Sequence, residues 1–197
     1  MGRRVVTRDE RRMKYVALLR GINVGGRNLI RMADLRACFE TRKFDRVSTY
    51  IQSGNILFDS DVIDAVMLTA AIERALSETF GREVPVFLRS HAQMKKVIAG
   101  APKAWKNATD VRTNVAFLRL PLTAKHALTA IVAKEGVDSL HAGDGVVYMS
   151  TVVARAGESS LSKVVSKLIY GNITVRNFTT CKKILALMDA GCPPRTT

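Results

Sequence analysis

Hydrophobic periodicity predicts an α+β protein in which one succession of elements, β-α-β-β-α-β, occurs twice. Three observations predict it. Short apolar runs alternate with longer runs of helical spacing. Glycine-centred turns fall at matching places in the two halves, Ser53-Gly54 and Gly143-Asp144-Gly145. No Ser/Gly/Pro-rich linker separates the halves, which are therefore expected to pack as one compact unit.

The first half opens with a strand at Lys14 to Leu19 and a glycine-rich turn, Gly21-Ile22-Asn23-Val24-Gly25-Gly26. A helix follows over Met32 to Arg42, with Leu35 and Phe39 at i, i+4 on its inner face. Val47 to Gln52 and Asn55 to Asp59 form two strands joined at Ser53-Gly54. Asp61 to Phe80 has helical spacing, with Val62, Val66, Ile72 and Leu76 inward and Gly81 as the C-terminal cap. Val84 to Leu88 closes the half.

A helix opened by the capping box Ser90-His91-Ala92-Gln93 and a loop with Pro102, Trp105 and Asn107 lead to the second half. There Asn114 to Leu120 is a strand and Thr123 to Glu135 a helix ending before Gly136. Val137 to His141 and Val146 to Ser150 flank the second hairpin turn. Glu158 to Tyr170 is a helix, Thr174 to Arg176 a short strand and Phe178 to Asp189 a last helix. The repeated order predicts two ferredoxin-like subdomains, over residues 13–88 and 112–190, with 89–111 connecting them and 191–197 a tail.

Composition narrows the functional classes. Hydrophobic residues are 47% and charged residues 24% of 197, the balance of a globular chain long enough to fold without staples. Cys38, Cys181 and Cys192 show no C-x-x-C spacing, and His91, His126 and His141 are scattered. Neither zinc nor redox chemistry is supported, and no cofactor is expected. No apolar run reaches the roughly 18 to 20 residues that span a bilayer, so no membrane partner is expected. Residues 1–12 read as a disordered basic extension without signal-peptide character, Met13 is the candidate start of the folded unit, and a cytoplasmic location is expected. Lys and Arg outnumber Asp and Glu by 31 to 17, a net charge of +14, with pI near 10.2. Such a surplus favours polyanions and phosphates, and also serves solubility alone.

Three clusters are candidates for a site. Arg20, Gly21, Asn23, Gly25, Gly26, Arg27 and Asn28 lie after a strand and before a helix, where backbone N–H groups hold anions. The segment matches neither the P-loop nor the dinucleotide fingerprint, and a structural turn at Gly25-Gly26 is the plain alternative. Tyr50, Gln52, Ser53 and Asn55 form the second cluster, with Tyr50 and Gln52 on one strand face and Ile51 on the other. Antiparallel pairing with the first strand is expected to put the Ser53-Gly54 tip at the end opposite Arg20-Gly21; parallel pairing would start Asn55 near Lys14. Arg176 and Asn177 form the third. Asn177, Thr179 or Thr180 can cap the last helix, and Arg176 can pair with an acid. Catalytic motifs are sparse: Ser160-x-x-Lys163 matches the Ser-x-x-Lys pattern, without its companion motifs. With aromatics at 6%, an RNA-stacking sheet of the RRM type is not expected either.

The strings Ala17 to Gly26 and Thr49 to Asn55 together resemble a bacterial family of unknown function, the domain-of-unknown-function 1697 family. Pro102 through Trp105 to Asn114-Val115-Ala116-Phe117-Leu118 is similar to its middle, and Arg176-Asn177 to its closing motif. The resemblance runs from about Lys14 to Asp189 and implies the fold of two ferredoxin-like subdomains, with no established activity. The family's closing motif reads Arg-Asn-Trp-Asn-Thr; this chain has Phe178 and Thr179 in the third and fourth places. The leading functional expectation is an anion-binding protein, for nucleic acid or a phosphorylated small molecule, using the Arg20–Asn28 loop. An enzyme acting on a phosphorylated metabolite and a protein-interaction module are the alternatives, and the oligomeric state is left open.

Overall fold

The structure, a computed structural model, describes residues 12–23, 29–161 and 171–191. It divides into two units, residues 1–91 with 186–197 and residues 92–185. The expected helix over Glu158–Tyr170, the Ser160/Lys163 pair and the N-terminal extension fall wholly or largely outside the described residues.

In the first unit, strands β1 (Met13–Leu19), β2 (Asp45–Tyr50), β3 (Asn55–Ser60) and β4 (Val86–Ser90) form a sheet in the order β2-β3-β1-β4. Every pairing is antiparallel. Helices α1 (Met32–Thr41) and α2 (Ala65–Phe80) supply Leu35, Phe39, Leu68, Ile72 and Leu76 to a core closed by Tyr15, Ala17, Leu19, Ile56 and Phe58. Tyr15, Phe39, Phe44 and Phe58 form an aromatic cluster, with ring centroids 4.7–5.8 Å apart. Val16, Leu18, Leu57 and Phe87, on the other face of the sheet, are also buried, which explains the near-continuous apolar run of β1.

Helix α2 begins four residues later than its spacing predicts. Asp64 accepts from the backbone N–H of Val66 and Met67 at 2.8 and 3.0 Å and so fixes the start. The buried stripe is Leu68, Ile72 and Leu76. Val66 lies about 200° round the helix from Leu68 and is exposed, as is Val62 before the cap; both were expected inside. Gly81 ends the helix in the left-handed region, φ 66°, as expected.

The second unit contains α3 (His91–Ala99, from Ala92 on), a 3-10 turn at Lys103–Lys106, and strands β5 (Val111–Leu118), β6 (Asp138–Gly143), β7 (Val146–Val152) and β8 (Ile173–Asn177). Their sheet is again antiparallel, in the order β6-β7-β5-β8. Helix α4 (Ala124–Ala130) packs Ala127, with Ile131, against Ala116, Leu118, Val147 and Met149. It is half the expected length. β-Branched Ile131 and Val132 weaken the helix, and Ile131 turns extended and inward. The chain then folds back on Asp138, whose carboxylate accepts from Thr151 Oγ1 (2.8 Å), Ser159 Oγ (2.7 Å), and the backbone N–H of Lys134 (3.2 Å) and Ser160 (3.1 Å). The last helix is α5 (Phe178–Ala190).

Candidate functional site

Arg20, Gly21 and Asn23 of the first candidate cluster meet the second cluster at one end of the first sheet. Leu18 pairs with Asn55 in the antiparallel ladder, so the start of β3 lies beside the end of β1. This corrects the expected placement: antiparallel pairing puts the hairpin tip at the Arg20-Gly21 end, and Asn55 lies at the end remote from Lys14. Leu19 donates its backbone N–H to Gly54 O at 2.8 Å. The strands stop at Tyr50 and Asn55, with Ile51 to Gly54 forming the turn. Ile51 has φ 50°, so the alternation expected through Gln52 ends two residues earlier, at Tyr50. Gly54 has φ 71°, and a Cβ there would lie 2.7 Å from Ile22 Cδ1. Only glycine fits that contact.

Asn23 is the joint between loop and hairpin. Its Oδ1 accepts from Ile30 N at 2.8 Å, and its Nδ2 donates to Ile30 O and to Gln52 O, both at 3.0 Å. One side chain therefore ties Ile30 to the hairpin turn at Gln52. Asn55 Nδ2 donates to Tyr50 O and Ser53 Oγ, each at 3.0 Å. Arg20 donates its backbone N–H to Pro85 O. Gly25, Gly26, Arg27 and Asn28 lie outside the described residues.

The third cluster belongs to the second unit. Asn177 Oδ1 accepts from Thr179 N at 2.8 Å and caps α5. Arg176 is 9% exposed, and its Nη1 donates to Thr174 Oγ1 and Val175 O. Burial pulls its pKa down to about 10. Cys181, one turn into α5 and fully buried, is pushed up to about 12 by burial, against the pull of the Arg176 charge. The thiol is thus an inert, protonated group.

Immediately beyond Asn177 the second unit carries a groove of about 490 Å³ that sequence reasoning missed. Ile98, Ala101, Pro102, Trp105 and Phe178 form its apolar lining, and Lys103, Lys106 and Lys182 line it too. Gly100 ends α3 and a Cβ there would come within 2.8 Å of the Tyr148 hydroxyl, so its absence lets the chain turn tightly into Pro102. Tyr148 in turn donates to Val97 O at 2.8 Å. The Trp105 ring stands edge-to-face on Tyr148 (5.7 Å, 86°) and on Phe178 (5.1 Å, 69°). Three residues per turn put Lys103 and Lys106 on one side of the 3-10 turn. Phe178 and Lys182 are i, i+4 on α5, and Lys182 Nζ sits 5.5 Å from the Phe178 centroid. All three lysines are exposed. The legible signals were Lys-x-x-Lys around the chain's one tryptophan and Phe-x-x-x-Lys at the start of a helix.

Among the described residues, no group of three His, Cys, Asp or Glu could hold a metal ion. Among them, too, no helix is long and apolar enough to cross a membrane.

A solved structure of a conserved bacterial protein from Streptococcus pneumoniae is similar to this one, with a TM-score of 0.78 at 25% identity, over 90% of this chain and 99% of that one. No curated protein matches. A family profile matches residues 13–148, from the first residue of β1 to the tyrosine that packs on Trp105, and the chain belongs to that family, described as a protein of unknown function (DUF1697).

Proposed function

We propose that this is an anion-binding protein and that its ligand, a phosphorylated small molecule or a nucleic acid, sits in the Trp105–Phe178 groove. The observation that carries the reading is the composition of that groove: an apolar lining with three lysines and, among the described residues that line it, no acidic one. Its volume is that of a small-ligand site, on the order of 300 to 1,000 Å³, and the net charge of +14 raises the local concentration of anions around it. The Arg20–Asn28 loop with Tyr50, Gln52 and Ser53 is less well supported as the contact surface. The side-chain amides of Asn23 and Asn55 already bond within the loop and hairpin they belong to. For the same reason the enzyme reading, with Tyr50, Gln52 or Ser53 acting on a phosphorylated metabolite, ranks second. Each unit is also read as ferredoxin-like; the strand orders β2-β3-β1-β4 and β6-β7-β5-β8 support that description. A cytoplasmic location fits this reading.

A thermal-shift screen of the full chain against nucleotides, phosphosugars, polyphosphate and short RNA and DNA tests the proposal. A ligand at 100 times its dissociation constant stabilises by about 2.7 kcal/mol. Stabilisation that persists at moderate salt and is lost in Lys103→Gln/Lys182→Gln supports the groove. Stabilisation untouched by that double variant removes the groove from the proposal.

A further inference from the structure

We infer that the groove's ligand is an amphiphilic small anion, an apolar alkyl or aryl body ending in one phosphate or carboxylate, and not a stacked nucleobase. The inference rests on the anion-binding reading and narrows it to one chemical class.

Proteins that hold single-stranded nucleic acid present open aromatic faces on which successive bases stack. Here the aromatic faces are engaged. Trp105 and Phe178 are each only 9% exposed. Trp105 is fixed edge-to-face between Tyr148 and Phe178, and the Lys182 ammonium lies over the Phe178 ring. A base entering the groove would have to break these ring contacts to find a platform. An alkyl chain or the edge of a ring needs only apolar wall, which Ile98, Ala101, Pro102 and the ring edges supply.

The charge is arranged differently from the apolar wall. Lys103 and Lys106 share one side of the 3-10 turn, and Lys182 stands on α5. All three residues are exposed and border the groove, as long cationic side chains do when they lie along apolar surface. A phosphate or carboxylate met by these groups stays hydrated, and the apolar body behind it fills a volume of about 490 Å³. Each methylene moved from water into such a wall strengthens binding about three- to fourfold, the equivalent of roughly 0.8 kcal/mol.

Trp105 is the chain's single tryptophan, so the fluorescence of the unlabelled full-length protein, excited at wavelengths beyond tyrosine absorption, reports on this groove. The experiment titrates it with butyl, hexyl and octyl phosphate below their aggregation concentrations, with octanol, and with a short oligo(dT), at moderate salt. The expected result is a change in Trp105 emission, with affinity rising three- to fourfold per methylene along the phosphates. Lys182→Gln and Lys103→Gln should each weaken octyl phosphate several-fold and leave octanol unchanged. Equal affinity for butyl and octyl phosphate, still lysine-dependent, would overturn the apolar body and leave the anion-binding reading standing. Octanol binding as tightly as octyl phosphate would instead overturn the anion reading. An emission change produced by oligo(dT) in place of the alkyl phosphates would make the occupant a nucleic acid. Silence from Trp105 towards every probe would sink both.

Discussion

Asn23 joins Ile30 to the hairpin turn of the first unit through one side-chain amide. It holds φ 52°, a left-handed conformation that asparagine tolerates and alanine resists by about 1–2 kcal/mol, while its amide satisfies both backbone groups of Ile30 and the carbonyl of Gln52. Asn23→Ala should therefore cost about 2–3 kcal/mol, read as a lower urea midpoint at unchanged slope. Asn23→Asp keeps the acceptor for Ile30 N but turns an anion towards two carbonyls, so at neutral pH it should cost at least as much. Asp138 is the corresponding hub of the second unit. Burial raises its pKa, yet the hydrogen bonds from Ser159, Thr151, Lys134 and Ser160 outweigh that and hold it below the ordinary 3.8. A depressed carboxylate stabilises the fold above its unfolded pKa, and the contribution disappears as pH falls through the folded value. Acid titration of Asp138→Asn should accordingly show lower stability at neutral pH and a flatter loss below pH 4 than the parent chain. Neither role was readable beforehand. Asn23 stood out in the sequence, but as a donor to a ligand, because its true partners lie 7 and 29 residues away. Asp138 did not stand out at all, since three of its four donors, Lys134, Ser159 and Ser160, come from the segments before β6 and after β7.

Elements were legible where one force decides them. Every strand was found from its apolar run and every hairpin from its glycine, with Gly81 marking the end of α2 as expected. The start of α2 moved because a local bond competes with the apolar spacing. Asp64 caps α2 and makes Val62 and Val66 surface residues; Asp64→Ala should cost about 1 kcal/mol and leave the groove untouched, as a melting curve and Trp105 emission would show together. Gly100→Ala is the converse case. Its added methyl would meet the Tyr148 hydroxyl at 2.8 Å, displacing the wall that carries Pro102 and Trp105, with an overpacking cost of about 1–3 kcal/mol and an altered emission maximum. The groove itself was invisible in the sequence because its walls come from α3 and the 3-10 turn on one side and α5 on the other, about 75 residues apart in the chain and brought together by the packing of Trp105 on Phe178.

The molecule as a whole superimposes two electrostatic behaviours. With a net charge of +14, any attraction of a single-stranded polyanion should fall with a log–log salt slope near −0.7 per phosphate neutralised. An amphiphile held in the groove should lose far less over the same salt range, because most of its affinity is apolar. Comparing the two slopes on one preparation separates the site from the background field. The strand orders have a further consequence, one for self-association. β2 ends its sheet, and a row of unpaired backbone groups on such a strand invites another chain to pair there. Here the register slips between Asp45 and Ser48, Arg46 takes φ 49°, and its guanidinium closes on buried Asp59 at 2.6 Å. That kink with its charge leaves an incoming strand too short a straight run to zip onto. Arg46→Val would smooth the border and strip Asp59 of its partner, and light scattering should then show particles that grow with protein concentration.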